Sequence, residues 1–121
     1  MIWTKRIGLI LLIIFLGTII DYIVHQLNHN FTEEFSYFTH KIVFGTLWTF
    51  LAYLVFRKFI KTPFWLIFAM SGVTSILLQT FYFIQEHELT WVTVFFLFVH
   101  FICFLFPGYY IIRKYKDIFL T

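Results

Sequence analysis

The chain of 121 residues is 61% hydrophobic and 25% aromatic, only 12% of its residues are charged, and its mean hydropathy is +0.88. A soluble domain of this length exposes too much surface to water to bury so much apolar material. This composition excludes a water-soluble globule and indicates an integral membrane protein. A spanning helix takes about 20 residues, so the length admits about four spans. We therefore predict an all-α, four-helix transmembrane bundle that forms one domain over residues 1–121.

The formal net charge of +3 comes mainly from short Lys and Arg clusters that flank hydrophobic runs. Clusters in such positions orient a membrane protein in the bilayer, so we expect no nucleic acid partner. The single cysteine, Cys103, excludes an intramolecular disulfide. It also excludes a zinc or iron–sulfur site held by cysteines of one chain.

The first predicted span, about residues 5–28, carries a polar stripe near its end. Asp21, His25 and His29 recur at every fourth residue, which places a carboxylate and two imidazoles on one helix face. Gly17 precedes this stripe by a turn and permits close approach of a neighbouring helix. The stripe is the most informative local pattern in the sequence because it combines metal-binding side chains with a membrane-spanning run.

The second and third predicted spans cover about residues 37–56 and 63–84. The second contains His40 and Lys41 in its first turn. The third contains a run of small and polar residues at helical spacing, which predicts a face for packing against another helix. The residues of this predicted packing face are Ser71, Gly72, Ser75 and Gln79.

The fourth predicted span, about residues 89–112, is rich in Phe and contains His100 near its middle. An ionisable side chain near the midplane is a candidate axial haem ligand or proton-relay group. The alternative is a neutral histidine that is hydrogen-bonded across the bundle to a hydroxyl of the third span. Pro107 near the end of this span frees the carbonyl of Cys103 and predicts an interruption and a kink.

The distribution of positive charge predicts the orientation. Eight of the nine Lys and Arg residues lie at the N-terminus, in the middle loop or at the C-terminus, while Lys41 lies with the acidic loops on the opposite side. The positive-inside rule then places both termini and the middle loop in the cytoplasm. We expect an integral protein of the cytoplasmic (plasma) membrane whose two acidic loops face outward.

Counting residues along each helix places several polar side chains in the outer part of the bilayer. One interpretation is a divalent-metal site in which Asp21, His25, His29 and His40 bind copper, zinc or iron. The other is structural: Asp21 pairs with His25, His40 or Lys41 and holds three helix ends together. We favour the structural interpretation because the sequence contains no metal motif such as His-Glu-x-x-His.

Four spans with an acidic residue in the first resemble the small multidrug transporters. Asp21 lies too far from the midplane for their substrate site, and the charge bias fixes one orientation, whereas that family works as antiparallel dimers. The general makeup is similar to the small accessory subunits of membrane metalloenzymes, such as membrane-bound copper monooxygenases or respiratory complexes. We predict a non-catalytic accessory subunit whose partners are the lipid bilayer and other integral membrane subunits. The alternatives are an outward-facing metal or haem site in the chain itself and a small transporter.

Overall fold

The computed structural model describes residues 1–27, 33–86 and 91–120. Of these residues 89% are helical, and the described part of the chain contains no strand, so the predicted all-α class is confirmed.

Four helices are long and apolar enough to cross a membrane. Each predicted span coincides with one of them to within a few residues at either end. Pro63 opens the third helix, at a position where its missing N–H would have no helical partner. The helices are α1 (Ile2–Gln26), α2 (Phe35–Phe56), α3 (Pro63–Glu86) and α4 (Trp91–Lys114), and a short helix α5 (Lys116–Phe119) follows them.

The four long helices form an up-and-down bundle. Helix α1 packs against α2 and α4, and α3 packs against the same two helices. We call the end where α1 ends at Gln26 and α2 begins at Phe35 the loop end, and the opposite end, where α1 begins and α4 ends, the terminal end. This arrangement brings residues late in α1, early in α2 and early in α4 to the same end of the bundle.

The apolar core lies toward the terminal end. Its members come from the first half of α1, the end of α2, the start of α3 and the end of α4, together with α5. The half of the bundle toward the loop end is instead built around polar side chains. The core residues are Ile10, Ile13, Ile14, Ala52, Tyr53, Leu66, Ile67, Met70, Phe104, Ile111, Ile112 and Phe119.

Helix α4 runs unbroken through Pro107, so the interruption predicted there is not found. Proline within a membrane helix is tolerated when neighbouring helices pack around the freed backbone group. Here α1 approaches closely, since a Cβ added to Gly17 would lie 2.9 Å from the carbonyl oxygen of Cys103. The same added atom would overlap the ring of Phe104. Gly17 therefore allows α1 to pack directly against the freed carbonyl.

Helix α5 folds back against the terminal end, which the sequence did not predict. The Arg6 side chain is buried and its Nε donates a hydrogen bond to the carbonyl oxygen of Ile118 at 2.8 Å. The Tyr53 hydroxyl donates to the carbonyl oxygen of Phe119 at 2.6 Å. These two bonds satisfy carbonyls at the end of α5 and connect it to α1 and α2.

Candidate functional site

A buried ion pair joins α1 and α2 in the half of the bundle toward the loop end. Asp21 lies near the end of α1 and is 0% exposed, while Lys41 lies in the second turn of α2 and is 4% exposed. The Lys41 ammonium donates a hydrogen bond to Oδ2 of Asp21. A charged side chain inside a membrane-spanning helix is costly unless it is paired, so each member requires the other.

The Lys41 ammonium has acceptors for all of its protons. Besides Asp21, it contacts the Tyr37 hydroxyl and Nε2 of His100, each at 2.9 Å from Nζ. An ammonium carries three protons, and these three acceptors take one each. The role of Nε2 as an acceptor requires the tautomer of neutral His100 that carries its proton on Nδ1. The network therefore contains one positive and one negative charge.

Two histidines flank the second oxygen of the carboxylate. Nε2 of His100 lies 3.3 Å from Oδ1 of Asp21, and Nε2 of His25 lies 3.5 Å from the same atom. The His25 ring is buried and stacks on Phe96 of α4, with 4.6 Å between the ring centroids. Three helices thus converge on a single carboxylate.

The structure brings together some of the predicted metal ligands. Asp21 and His25 come together, and His100 joins them, with one ligand atom from each residue lying within 4.8 Å of the others. His40 is exposed and its nearest ring contact is Phe44, at 6.4 Å between centroids. His29 lies outside the described residues. Metal binding by this set stays a prediction.

His100 has a different partner from those considered in the sequence. The sequence predicts a hydroxyl of the third span as the hydrogen-bond partner of a neutral His100. In the structure the His100 ring contacts Lys41 and Asp21 instead. The Thr74 hydroxyl of α3 instead pairs with Thr49, at 2.6 Å between the oxygens. Because Nε2 of His100 is already engaged, haem ligation through that atom would require the loss of both contacts.

Lys41 is one of the three partners that the structural interpretation allows for Asp21, and the structure pairs the two residues. The sequence interpretation did not favour Lys41 over His25 or His40. The available signal for Lys41 was its place inside a predicted apolar span, where an ionisable residue is by default a candidate for a site. It follows Tyr37 by four residues, so the two side chains share one helix face and meet on it.

Of the four residues predicted to pack helices, two are buried serines and the other two lie against α4. Ser71 and Ser75 are each 1% exposed, and Gly72 lies where an added Cβ would be 3.8 Å from the Phe101 ring. The Gln79 side-chain amide donates to the carbonyl oxygen of Thr93 at 2.9 Å. That bond gives a carbonyl in the first turn of α4 a second donor and ties this turn to α3.

A cavity of about 670 Å³ adjoins the ion pair between α2 and α3. Lys41 and His100 form part of its wall, and the remainder combines aromatic with polar and acidic side chains. Its lining residues are Glu33, Glu34, Ser36, Tyr37, His40, Lys41, Phe44, Trp48, Leu78, Gln79, Phe81, Tyr82 and His100.

The electrostatics of the site follow from the ion pair. The positive charge of the Lys41 ammonium neutralises the Asp21 carboxylate. A divalent ion bound by Asp21, His25 and His100 would have to displace that ammonium or tolerate it in contact. No protein-family model, curated protein or solved structure matches this chain.

Proposed function

We propose that the chain is an integral membrane protein with both termini in the cytoplasm, and that it serves as a non-catalytic accessory subunit of a larger membrane complex. The observation that carries this proposal is the buried network of Asp21 and Lys41. Its charges cancel and the ammonium protons are all accepted within the chain. A buried ion pair compensated in this way joins α1 to α2 and favours one packing arrangement.

The outer faces of the bundle support lateral association. All four long helices expose large apolar side chains, many of them aromatic. Association of membrane helices depends on van der Waals packing, and broad aromatic surfaces offer much of it. The described residues outside the four long helices are few, so recognition of a partner would occur within the membrane. The most exposed of the rings in these helices are Phe35, Trp65, Trp91, Phe98, Phe106 and Tyr110.

A divalent-metal site is the second candidate function. It is favoured by the approach of ligand atoms from Asp21, His25 and His100 to within 4.8 Å of one another. Carboxylate with imidazole suits zinc, copper or iron. Against it stands the Lys41 ammonium, whose repulsion of a cation is strong in a site of low dielectric constant.

One purification tests both candidates. A tagged copy of the chain, extracted from its native membranes in several mild detergents, is expected to elute with larger integral membrane subunits. Mass spectrometry identifies those subunits, and elemental analysis of the isolated chain is expected to find no stoichiometric metal. If the chain elutes alone in every detergent, the accessory role is wrong. One divalent ion per chain, lost in His25→Ala, would establish the metal site instead.

The orientation is tested by labelling single cysteines with a membrane-impermeant thiol reagent in intact cells. Glu34→Cys, at the loop end, is expected to react from outside, and Lys61→Cys, between α2 and α3, only after the cells are opened. Both positions are exposed in the structure. The parent chain is the matched control because its single cysteine, Cys103, is buried. Labelling of Lys61→Cys from outside would reverse the orientation.

A further inference from the structure

The wall of the cavity between α2 and α3 changes character along its length. Exposed acidic and polar side chains line the cavity at the loop end, where Glu33 and Glu34 precede α2. Farther along the bundle, the wall is formed by Phe44 and Trp48 of α2 and by Phe81 of α3. Glu34 and Phe44 are ten residues apart, which corresponds to a rise of about 15 Å along α2. A ligand that fills this cavity therefore needs one polar end and one apolar end.

The exposed charge of the cavity wall is negative. With histidine neutral, the wall contains three charged residues, Glu33, Glu34 and Lys41. The two carboxylates are exposed at the loop end. Lys41 is only 4% exposed, and the Asp21 carboxylate already compensates its charge. The loop end of the cavity therefore attracts a cation and repels an anion.

The acidic residues of the wall are not arranged as a metal site. A small metal ion is bound by several ligand atoms that converge on one point. Among the described residues, one set of three such atoms lies within 4.8 Å of one another, and it belongs to Asp21, His25 and His100. An organic ammonium group needs no such convergence, because carboxylates and the faces of aromatic rings both attract it. Tyr37 and Tyr82 supply rings next to the loop end of the cavity, with 6.5 Å between their centroids.

The apolar part of the cavity opens sideways. Phe44 and Phe81 line it and are each 48% exposed, so they also lie on the outer face of the bundle. Both belong to helices that are long and apolar enough to cross a membrane. The Trp48 ring stacks on Phe81, with 5.8 Å between centroids, and the cavity volume of about 670 Å³ falls within the usual range for small-molecule sites. A hydrocarbon chain can thus enter this part of the cavity directly from a bilayer.

We propose that this cavity binds a positively charged amphiphile, which consists of an organic ammonium head and a hydrocarbon chain. The head lies beside the carboxylates of Glu33 and Glu34. The chain lies along Phe44, Trp48 and Phe81, toward the middle of the bundle. A zwitterionic phospholipid fits less well, because its phosphate would face the same carboxylates. One chain supplies all of the lining residues, so the inference goes beyond the accessory role and does not depend on a partner subunit.

The test uses the full chain in dodecyl maltoside micelles, whose uncharged detergent has a hydrocarbon chain but no ammonium. The probe is an alkyltrimethylammonium with a photoreactive diazirine near the end of its chain. Illumination is expected to label the segments around Phe44 and Phe81, as located by peptide mass spectrometry. Excess dodecyltrimethylammonium is expected to suppress this labelling, and added salt is expected to weaken that competition. Dodecylphosphocholine, which has the same chain and ammonium but also a phosphate, is expected to leave the labelling unchanged.

Glu34→Gln removes one carboxylate charge and keeps the size of the side chain. The Glu34 side chain makes no capping hydrogen bond to α2, so the start of the helix is expected to persist. Competition by dodecyltrimethylammonium is expected to weaken roughly threefold in Glu34→Gln and roughly tenfold in Glu34→Lys, since each step removes one unit of attraction near water. Asp117→Asn and Asp117→Lys are the matched controls and are expected to compete like the parent chain, because Asp117 is exposed in α5 at the terminal end.

Three outcomes would reject the proposal. Equal competition by dodecylphosphocholine would show that net charge does not select the ligand and that a zwitterionic lipid serves as well. Labelling confined to segments away from Phe44 and Phe81 would place the amphiphile elsewhere. Glu34 variants that compete like the Asp117 variants would show that the carboxylate does not bind the head. These outcomes are independent of the accessory role, since a chain that elutes without partners can still pass every one of them.

Discussion

Replacing Lys41 with methionine is expected to lower the free energy of unfolding by about 3–5 kcal/mol. Methionine approximates the length of the lysine stem and keeps the packing, but it leaves the Asp21 carboxylate buried without a counter-charge. Removing one partner of a buried ion pair is far more damaging than removing both. Equilibrium unfolding in mixed micelles with increasing sodium dodecyl sulfate, followed by circular dichroism, measures the change.

Lys58→Met is the matched control for this variant. Lys58 is exposed just after the end of α2, so the same chemical change there is expected to stay within about 0.5 kcal/mol of the parent chain. If Lys41→Met and Lys58→Met unfold alike, the Lys41 ammonium does not stabilise the bundle. The ion pair would then have no structural role.

Gly17→Val is expected to lower the free energy of unfolding by about 2–3 kcal/mol, or to displace α1 from α4. An added Cβ would meet the Phe104 ring and lie 2.9 Å from the Cys103 carbonyl oxygen. The Cys103 carbonyl belongs to the backbone of α4, so it cannot move away from the added atom as the end of a flexible side chain could. The same unfolding titration measures the loss, and a cysteine-reactivity assay shows whether Cys103 becomes accessible when the helices separate.

The control for this contact lies on the same helix. Gly8 has no atom within 4 Å of its added Cβ, so Gly8→Val is expected to change the free energy of unfolding by less than about 0.5 kcal/mol. A Gly17→Val chain as stable as Gly8→Val, with Cys103 still unreactive, would contradict the close packing of α1 on α4.

The helices were predictable because each is a long apolar run bounded by polar residues or proline. The lengths of the hydrophobic runs alone predicted the four long helices, and the predicted ends agree with the observed ends to within a few residues. Helix α5 was not predictable in this way. It spans only Lys116–Phe119, and the contacts of its last residues with Arg6 and Tyr53 join parts of the chain far apart in sequence.

Asp21 and His25 are four residues apart, and this spacing correctly predicted that they share a helix face. Depth counting did not predict the contact of His100 with Asp21, however. His100 lies nine residues into α4, about 13.5 Å from the loop end, whereas Asp21 lies five residues from the end of α1, about 7.5 Å from it. The side chains are long enough to bridge this difference in depth, and a count of backbone residues does not take side-chain length into account.

The choice between His40 and Lys41 was also beyond the sequence pattern. Adjacent residues on a helix point about 100° apart, so His40 and Lys41 face different surroundings. The metal interpretation placed His40 beside Asp21, whereas the structural interpretation allowed either His40 or Lys41 as its partner. The structure buries Lys41, which leaves His40 exposed. The negative charge of Asp21 accounts for this outcome, because it requires a cation rather than a second neutral ligand.

A double-mutant cycle on Asp21 and Lys41 tests most directly the claim that a neutralised ion pair holds this bundle together. Asp21→Leu, Lys41→Met and the double variant are unfolded under the same conditions as the parent chain. The double variant is expected to recover most of the stability lost in Lys41→Met, with a coupling energy of at least about 3 kcal/mol. Single effects that simply add, to within about 0.5 kcal/mol, would show that the two residues do not act as a pair.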